Sequence, residues 1–256
     1  MSVIDRDFHI HTELSCCAQR ETTVSGILEA CSALGMKIVG ISDHFHELDR
    51  DFPAMVRANR QLVQQEQRKH PGLQVFLGCE AQMNRPDQCT ITPELAAEFD
   101  YVLCAANHYH LTENPADQSP AGYAAHYLQM VEGAIDTGFV NSITHPFLHE
   151  KLDKTVDRQA VLGAYDAGAL DRVLAKAARR QVAFELNPGH AVCAAEFFAK
   201  LVLQCRRHGV KIQLGSDAHA IAHLGYLKEQ GTRYTFEDLE SLFGLKREDL
   251  YTPKSN

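Results

Sequence analysis

The chain has 256 residues, 45% of them apolar and 23% charged, and a formal net charge of −8. That length suits one large α/β domain as readily as two small ones, and the composition is that of a chain with ample material for a core, not of a disordered one. The acidic balance, with no long Lys/Arg run, argues against long nucleic acid as a partner.

Charges at Asp5, Arg6 and Asp7 interrupt the stretch where a signal peptide needs an apolar run, and no window approaches about eighteen apolar residues. No membrane span is expected, and the cytoplasm is the default location. Eight cysteines lie scattered without CxxC spacing, so most read as buried reduced thiols. Cys16 and Cys17 stand apart because they adjoin a histidine motif.

In chain order, short apolar runs alternate with longer helical patterns, the signature of repeated βα units. Residues 6–10 predict a first strand, and 27–34, stopped by Gly35, a first helix. Strand 38–41, helix 53–70 and strand 74–77 follow. Thr92-Pro93-Glu94 reads as a helix N-cap followed by proline at the first helical position. Strand 101–104, helix 122–137, strand 140–143, helix 169–180 and strand 182–186 come next, and helix 196–208, strand 211–214 and helix 236–243 close the series. The strands are short and mostly apolar, as parallel strands buried on both faces should be. No linker, low-complexity tract or repeat divides the chain, so a single domain over 1–256 is expected.

Metal-ligand residue types recur at or just past the C-terminal end of almost every predicted strand: His9 and His11, Asp43 and His44, Glu80, His108, His145, and Asp217 and His219. In a parallel α/β barrel these ends converge on one face. Residues two apart on a strand share a side, so His9 and His11 can both face the barrel mouth while Ile10 packs outward. A lone HxH is more often a pair of ordinary half-buried histidines, but this one is joined by five further segments.

Imidazole suits Zn, Fe and Mn, and Glu80 and Asp217 add hard oxygens able to bridge ions. The set therefore predicts two to three divalent ions, not a closed structural zinc site, which would draw cysteines at short spacing. Ions held together in this way favour hydrolysis of phosphate esters. No P-loop, GxGxxG or GxSxG motif competes.

These residues resemble the PHP (polymerase and histidinol phosphatase) superfamily through Asp7-Phe8-His9-Ile10-His11-Thr12, Gly40-Ile41-Ser42-Asp43-His44, Leu77-Gly78-Cys79-Glu80 and Gly215-Ser216-Asp217-Ala218-His219. Phe99-Asp100-Tyr101-Val102, Thr144-His145-Pro146 and Phe184-Glu185-Leu186-Asn187 are similar to segments of its stand-alone, histidinol-phosphatase-like branch. The resemblance implies an α/β fold, a distorted seven-stranded (β/α)7 TIM-like barrel. It implies a trinuclear site for Zn, Mn or Fe and a metal-bridging hydroxide that attacks phosphorus. The substrate would be a small phosphorylated metabolite, with histidinol phosphate one candidate. The implied ligands are His9, His11, His44, Glu80, His108, His145, Asp217 and His219, with Glu80 bridging and Glu80, Asp217 and His219 as the catalytic positions.

One departure lies six residues after His11, where this type of phosphatase usually places histidine and this chain has Cys17. Cys17 is carried as a candidate thiolate ligand, which would favour Zn or Fe over Mn. Arg20 is a candidate phosphate clamp, and His110 and His190 are candidates on the substrate side. His46 and His149 are candidate supporting groups or proton donors. Asp43 reads as an orienting residue, Glu185 and Asn187 as partners behind the ligands, and 111–120 as a loop over the site. His70, His126, His208 and His223 read as surface or helix residues. Three alternatives compete: a metal-dependent amidohydrolase, which predicts an eighth barrel strand and a bridging lysine; a phosphodiesterase on short oligonucleotides; and a non-catalytic domain, for which Cys17 is the foothold. No motif encodes an oligomeric state.

Overall fold

The computed structural model describes residues 5–45, 52–147, 156–224, 226–229 and 232–253. In chain order the elements are β1 (Arg6–Ile10), α1 (Val24–Ala33), β2 (Ile38–Ile41), α2 (Phe52–Gln67), β3 (Gln74–Arg85), β4 (Gln88–Cys89), α3 (Pro93–Ala96), β5 (Tyr101–Ala105), α4 (Pro120–Asp136), β6 (Ser142–Ile143), α5 (Arg158–Gly163), α6 (Ala167–Arg180), β7 (Ala183–Leu186), α7 (Pro188–Cys193), α8 (Ala195–His208), β8 (Ile212–Leu214), β9 (Tyr226–Glu229), β10 (Thr232–Thr235) and α9 (Phe236–Phe243).

Seven strands, in the order β1-β2-β3-β5-β6-β7-β8, pair in parallel. The last meets the first just beyond β8, where Ile10 pairs with Ala218: His11 N–H donates to Ala218 O at 2.9 Å and Ala218 N–H to His9 O at 3.2 Å. The result is a nearly closed α/β barrel of the kind the sequence predicts. No eighth parallel strand appears among the described residues, which removes the structural expectation attached to the amidohydrolase alternative. The main core lies between the strands' outer faces and the helices, where Ile10, Ile41, Val102, Ile143, Phe184 and Leu214 are buried.

Local chemistry sets the helix ends. Thr23, Thr92, Ser119, Asp166 and Thr235 cap α1, α3, α4, α6 and α9 with side-chain oxygens that accept from the first turn. Pro120 occupies the first position of α4, so that helix begins two residues earlier than its apolar pattern indicates. The short helices α5 and α7 and the β9–β10 hairpin were not predicted, because each is too short for a periodic signal to stand out.

The third strand corrects the sequence reading. It runs on to Arg85 instead of ending at residue 77, and it changes partner along its length: Gln74–Leu77 pair with β2, and residues 78–82 with β5. Glu80 therefore sits within a strand, not at its end. The change of partner places Glu80 near the centre of the barrel mouth, beside the continuation of β2, where Phe45 N–H donates to Glu80 O at 2.9 Å.

Below the mouth, the buried ring of Tyr101 fills the barrel interior with Phe8, Phe76 and Leu103. A Cβ at position 78 would fall 2.3 Å from Tyr101 Cζ, so glycine there leaves the room the ring occupies. The register between β1 and β2 slips after Asp7, so that Phe8 and His9 together oppose Gly40. Such a bulge re-aims side chains beside a site. Here Phe8 joins the interior cluster, and His9, next in the chain, also enters the barrel.

Candidate metal centre

The interior of β3 and the ends of the other strands gather His9, His11, His44, Glu80, His108, His145, Asp217 and His219 at one mouth. Glu80 is the hub. Its Oε2 lies 2.6 Å from His44 Nδ1, 3.6 Å from His9 Nε2 and 3.7 Å from His11 Nε2, while Oε1 lies 2.9 Å from His145 Nε2. Asp217 enters from the opposite side, with Oδ1 3.0 Å from His11 Nε2 and 3.4 Å from His9 Nε2. Beyond it, His219 Nε2 approaches His44 Nε2 at 3.4 Å. Among the described residues, three groups have ligand atoms within 4.8 Å of one another: His9, His11 and Glu80; Glu80, His108 and His145; and His11, His44 and His219.

The donors fit divalent cations. His9 Nε2 is fully buried and has no hydrogen-bond partner, a costly state for a polar nitrogen that faces two carboxylates unless a cation takes its lone pair. Two of the groups share Glu80, whose two oxygens face different histidines, and two share His11. A mixed imidazole and carboxylate set of this kind suits Zn, Fe or Mn.

Electrostatics follow from the crowding. Burial by itself would raise the Glu80 and Asp217 carboxyls, but His44 and His9 beside Glu80, and His9 and His11 beside Asp217, hold both well below the usual carboxylate range. Burial opposes a charge on His44 as well, yet Glu80 and Cys17 raise it to about 10. His9 is raised by Glu185, Asp217 and Glu80 against the same burial penalty. His108 is brought down to about 3 by burial, and His11 falls by burial and by its neighbour His44. The carboxylates favour the charged forms of His9 and His44, and a bound cation competes with protons for the same nitrogens.

Supporting hydrogen bonds fix the ring orientations. His9 Nδ1 lies 2.7 Å from Glu185 Oε1, His11 Nδ1 3.1 Å from Ser15 Oγ, His108 Nδ1 3.1 Å from Gln82 Oε1, and His145 Nδ1 3.1 Å from Asn107 Oδ1. Sequence reasoning missed Gln82, Asn107 and Ser15. Gln82 was legible in principle, because it shares a face of β3 with Glu80; the other two carry no local signal. Asp43 braces the loop beside the site. It accepts from Thr12 N and Oγ1, Ser15 Oγ and Asn59 Nδ2, and so pins the loop after β1. His145 and Asp217 have φ of 27° and 54°, left-handed values that cost a non-glycine residue about 1–3 kcal/mol and cluster at functional sites.

Cys17 Sγ lies 3.2 Å from His44 Nε2. Burial opposes its thiolate, but hydrogen bonds from His219 and His44 outweigh that and bring the thiol down to about 6. Arg20 is exposed on the same loop, which Gln19 N–H ties to His219 O at 2.8 Å. His110 is exposed, its ring 5.5 Å from that of His108. His190 falls in α7, but its side chain lies outside the described residues, as do His46 and His149. Away from the mouth, His208 pairs with Asp171 at 2.8 Å and His126 contacts Tyr109 at 3.4 Å.

Known proteins resemble this chain in sequence and in fold. The family model described as PHP domain matches residues 7–189. A probable phosphatase from Clostridium acetobutylicum is 24% identical over 226 residues, covering 86% of this chain and 80% of that protein. Another, from Caldicellulosiruptor bescii, is 25% identical over 205 residues, covering 78% and 73%. Among solved structures, histidinol phosphate phosphatase from Lactococcus lactis, complexed with zinc, L-histidinol and phosphate, superposes with a TM-score of 0.61 at 16% identity, covering 96% of this chain and 94% of that one. Asp217 and His219 lie beyond the family match and reach the mouth through the pairing of Ile10 with Ala218.

Proposed function

The chain belongs to the PHP domain family, and on that premise we propose that it is a metal-dependent phosphatase acting on a small phosphomonoester. The observation that carries the reading is Glu80, a fully buried carboxylate whose two oxygens face separate sets of imidazoles. One acidic group shared by two ligand clusters is the arrangement a multi-ion phosphoesterase needs. The phosphatases among its relatives and the zinc-bound structural neighbour support the same reading.

In this proposal His9, His11, His44, Glu80, His108, His145, Asp217 and His219 hold two to three divalent ions, with Cys17 beside His44 and His219. When bound, such ions draw electron density from a phosphoryl oxygen and lower the pKa of water to near neutrality. The chain's own residues do the rest. Glu80 and Asp217 supply negative charge in a site from which solvent is largely excluded. Ser15, Gln82, Asn107 and Glu185 hold the histidine rings so that the opposite nitrogens converge. Asp217 and His219 are each about a quarter exposed in their side chains, which leaves that side of the mouth open to substrate. Arg20, an exposed cation on the loop tied to His219, is placed to meet phosphate oxygens. His110 is the exposed imidazole nearest His108 in sequence and the candidate donor of a proton to the leaving oxygen.

The test is elemental analysis of the purified chain, run with a phosphate-release assay over a panel of phosphomonoesters that includes histidinol phosphate, with added Zn, Mn or Fe. Two to three ions per chain with phosphate release are expected. Ions without release from any monoester would redirect the reading to diesters or amides, and a chain that binds no ions would end it.

A further inference from the structure

We propose that Glu185, seated in space that glycine at position 215 leaves free, is a positioning residue that sets which nitrogen of His9 faces the metal centre and ties that ring to the backbone of His145. The proposal rests on the metal-centre reading above and names a residue outside its ligand set.

The Glu185 side chain, on β7, is wholly buried. One oxygen takes the His9 Nδ1 contact at 2.7 Å, and the other accepts the backbone N–H of His145. A neutral imidazole has a single N–H. If that proton sits on Nδ1 and points at Glu185, the Nε2 lone pair is free, and Nε2 is the nitrogen that is buried without a partner between Glu80 and Asp217. A carboxylate behind a ligand imidazole fixes its tautomer and raises its basicity. The second oxygen serves a different element. His145 belongs to another ligand group and holds a left-handed φ of 27°. Its N–H bond to Glu185 helps hold that conformation, so one carboxylate aligns two ligands from separate clusters.

Gly215 is the other half of the device. A Cβ at 215 would lie 1.9 Å from Glu185 Oε1 and 2.6 Å from His9 Cβ. His9 Cβ is fixed by its backbone, and Glu185 Oε1, though it ends a side chain, is buried and held by the contacts to His9 and His145, so alanine at 215 must displace the pair. The glycine in Gly215-Ser216-Asp217 therefore provides space for a side chain from β7.

The experiment compares wild type with Glu185→Ala, Glu185→Gln and Gly215→Ala. Zinc affinity is measured by competition with a chromophoric chelator, and ring tautomers are read from long-range nitrogen–proton NMR of the zinc-loaded chain and of the metal-free chain at alkaline pH, where the ring carries one proton. Glu185→Ala is expected to weaken zinc binding about 10- to 100-fold and to erase the Nδ1–H signature of His9 while the circular dichroism spectrum is kept. Gly215→Ala should reproduce the loss. The isosteric Glu185→Gln, which keeps an acceptor for the ring N–H, should fall between and guards against a folding defect in the alanine variant. Unchanged affinity and tautomer in a folded Glu185→Ala chain, or unchanged affinity in a folded Glu185→Gln chain, would overturn the proposal. A wild-type chain that binds no zinc would sink the metal reading instead, and the tautomer spectra would still decide whether Glu185 orients His9.

Discussion

Replacing Glu80 with glutamine tests the hub with almost no change of shape. The carboxylate lies within 3.7 Å of the ring nitrogens of His9, His11, His44 and His145. The substitution removes one negative charge from the centre of the set and adds an amide N–H that competes for a histidine lone pair. A unit charge acting over roughly 4 Å at an effective dielectric near 20 is worth about 4 kcal/mol, which is on the order of 10³ in a binding constant. Ion affinity should fall by at least that factor and phosphate release should fall with it. Stability of the metal-free chain should also fall near neutral pH, by about 3–5 kcal/mol, because Glu80 is the partner that favours the charged form of His44 and its removal leaves that buried imidazolium uncompensated. Elemental analysis after dialysis, chelator competition and thermal unfolding in chelator measure the three quantities. A Glu80→Gln chain that retains full metal content and turnover would refute the hub, and one whose metal-free stability equals wild type would refute its pairing with His44.

Gly78→Ala places a methyl group 2.3 Å from Tyr101 Cζ inside the barrel. Overpacking of about 1–3 kcal/mol should lower the melting temperature by several degrees, as calorimetry would read, and a melting temperature equal to wild type would contradict the described packing. In metal-free protein Cys17, brought down to about 6, should alkylate at a rate that rises with pH through that value and levels off above it. Peptide mass spectrometry reads the rate, with exposed Cys16 as the internal comparison, and a rise only near pH 9 would contradict the contacts with His44 and His219. Asp249 is held below the usual carboxylate range: burial would raise it, but the hydrogen bonds from Arg206 at 3.0 and 2.6 Å and from Lys246 N outweigh that. A carboxyl depressed in the folded state stabilises above its unfolded pKa and loses that contribution as pH falls through the folded one. Asp249→Asn should therefore lower the melting temperature at pH 7 but by progressively less below about pH 4, and a pH-independent difference would remove the ion pair as its cause.

Much of the site was legible in one dimension because ligand chemistry and strand periodicity are local. His9-Ile10-His11 and Asp217-Ala218-His219 place like residues two apart, and the turn and cap residues mark where helices begin. What the sequence could not carry depends on contacts between elements distant in the chain. Glu80 looked like a strand-end residue because the apolar run stops near residue 77, yet β3 continues as its second half finds β5. The bulge opposite Gly40 and the seat that Gly215 leaves for Glu185 arise only where separate strands meet. Chain order gave the types of the candidate ligands; the closure of β1 onto the segment after β8 decided that Asp217 and His219 share one mouth with Glu80, because backbone pairing across more than two hundred residues is a property of the folded barrel and of no local segment.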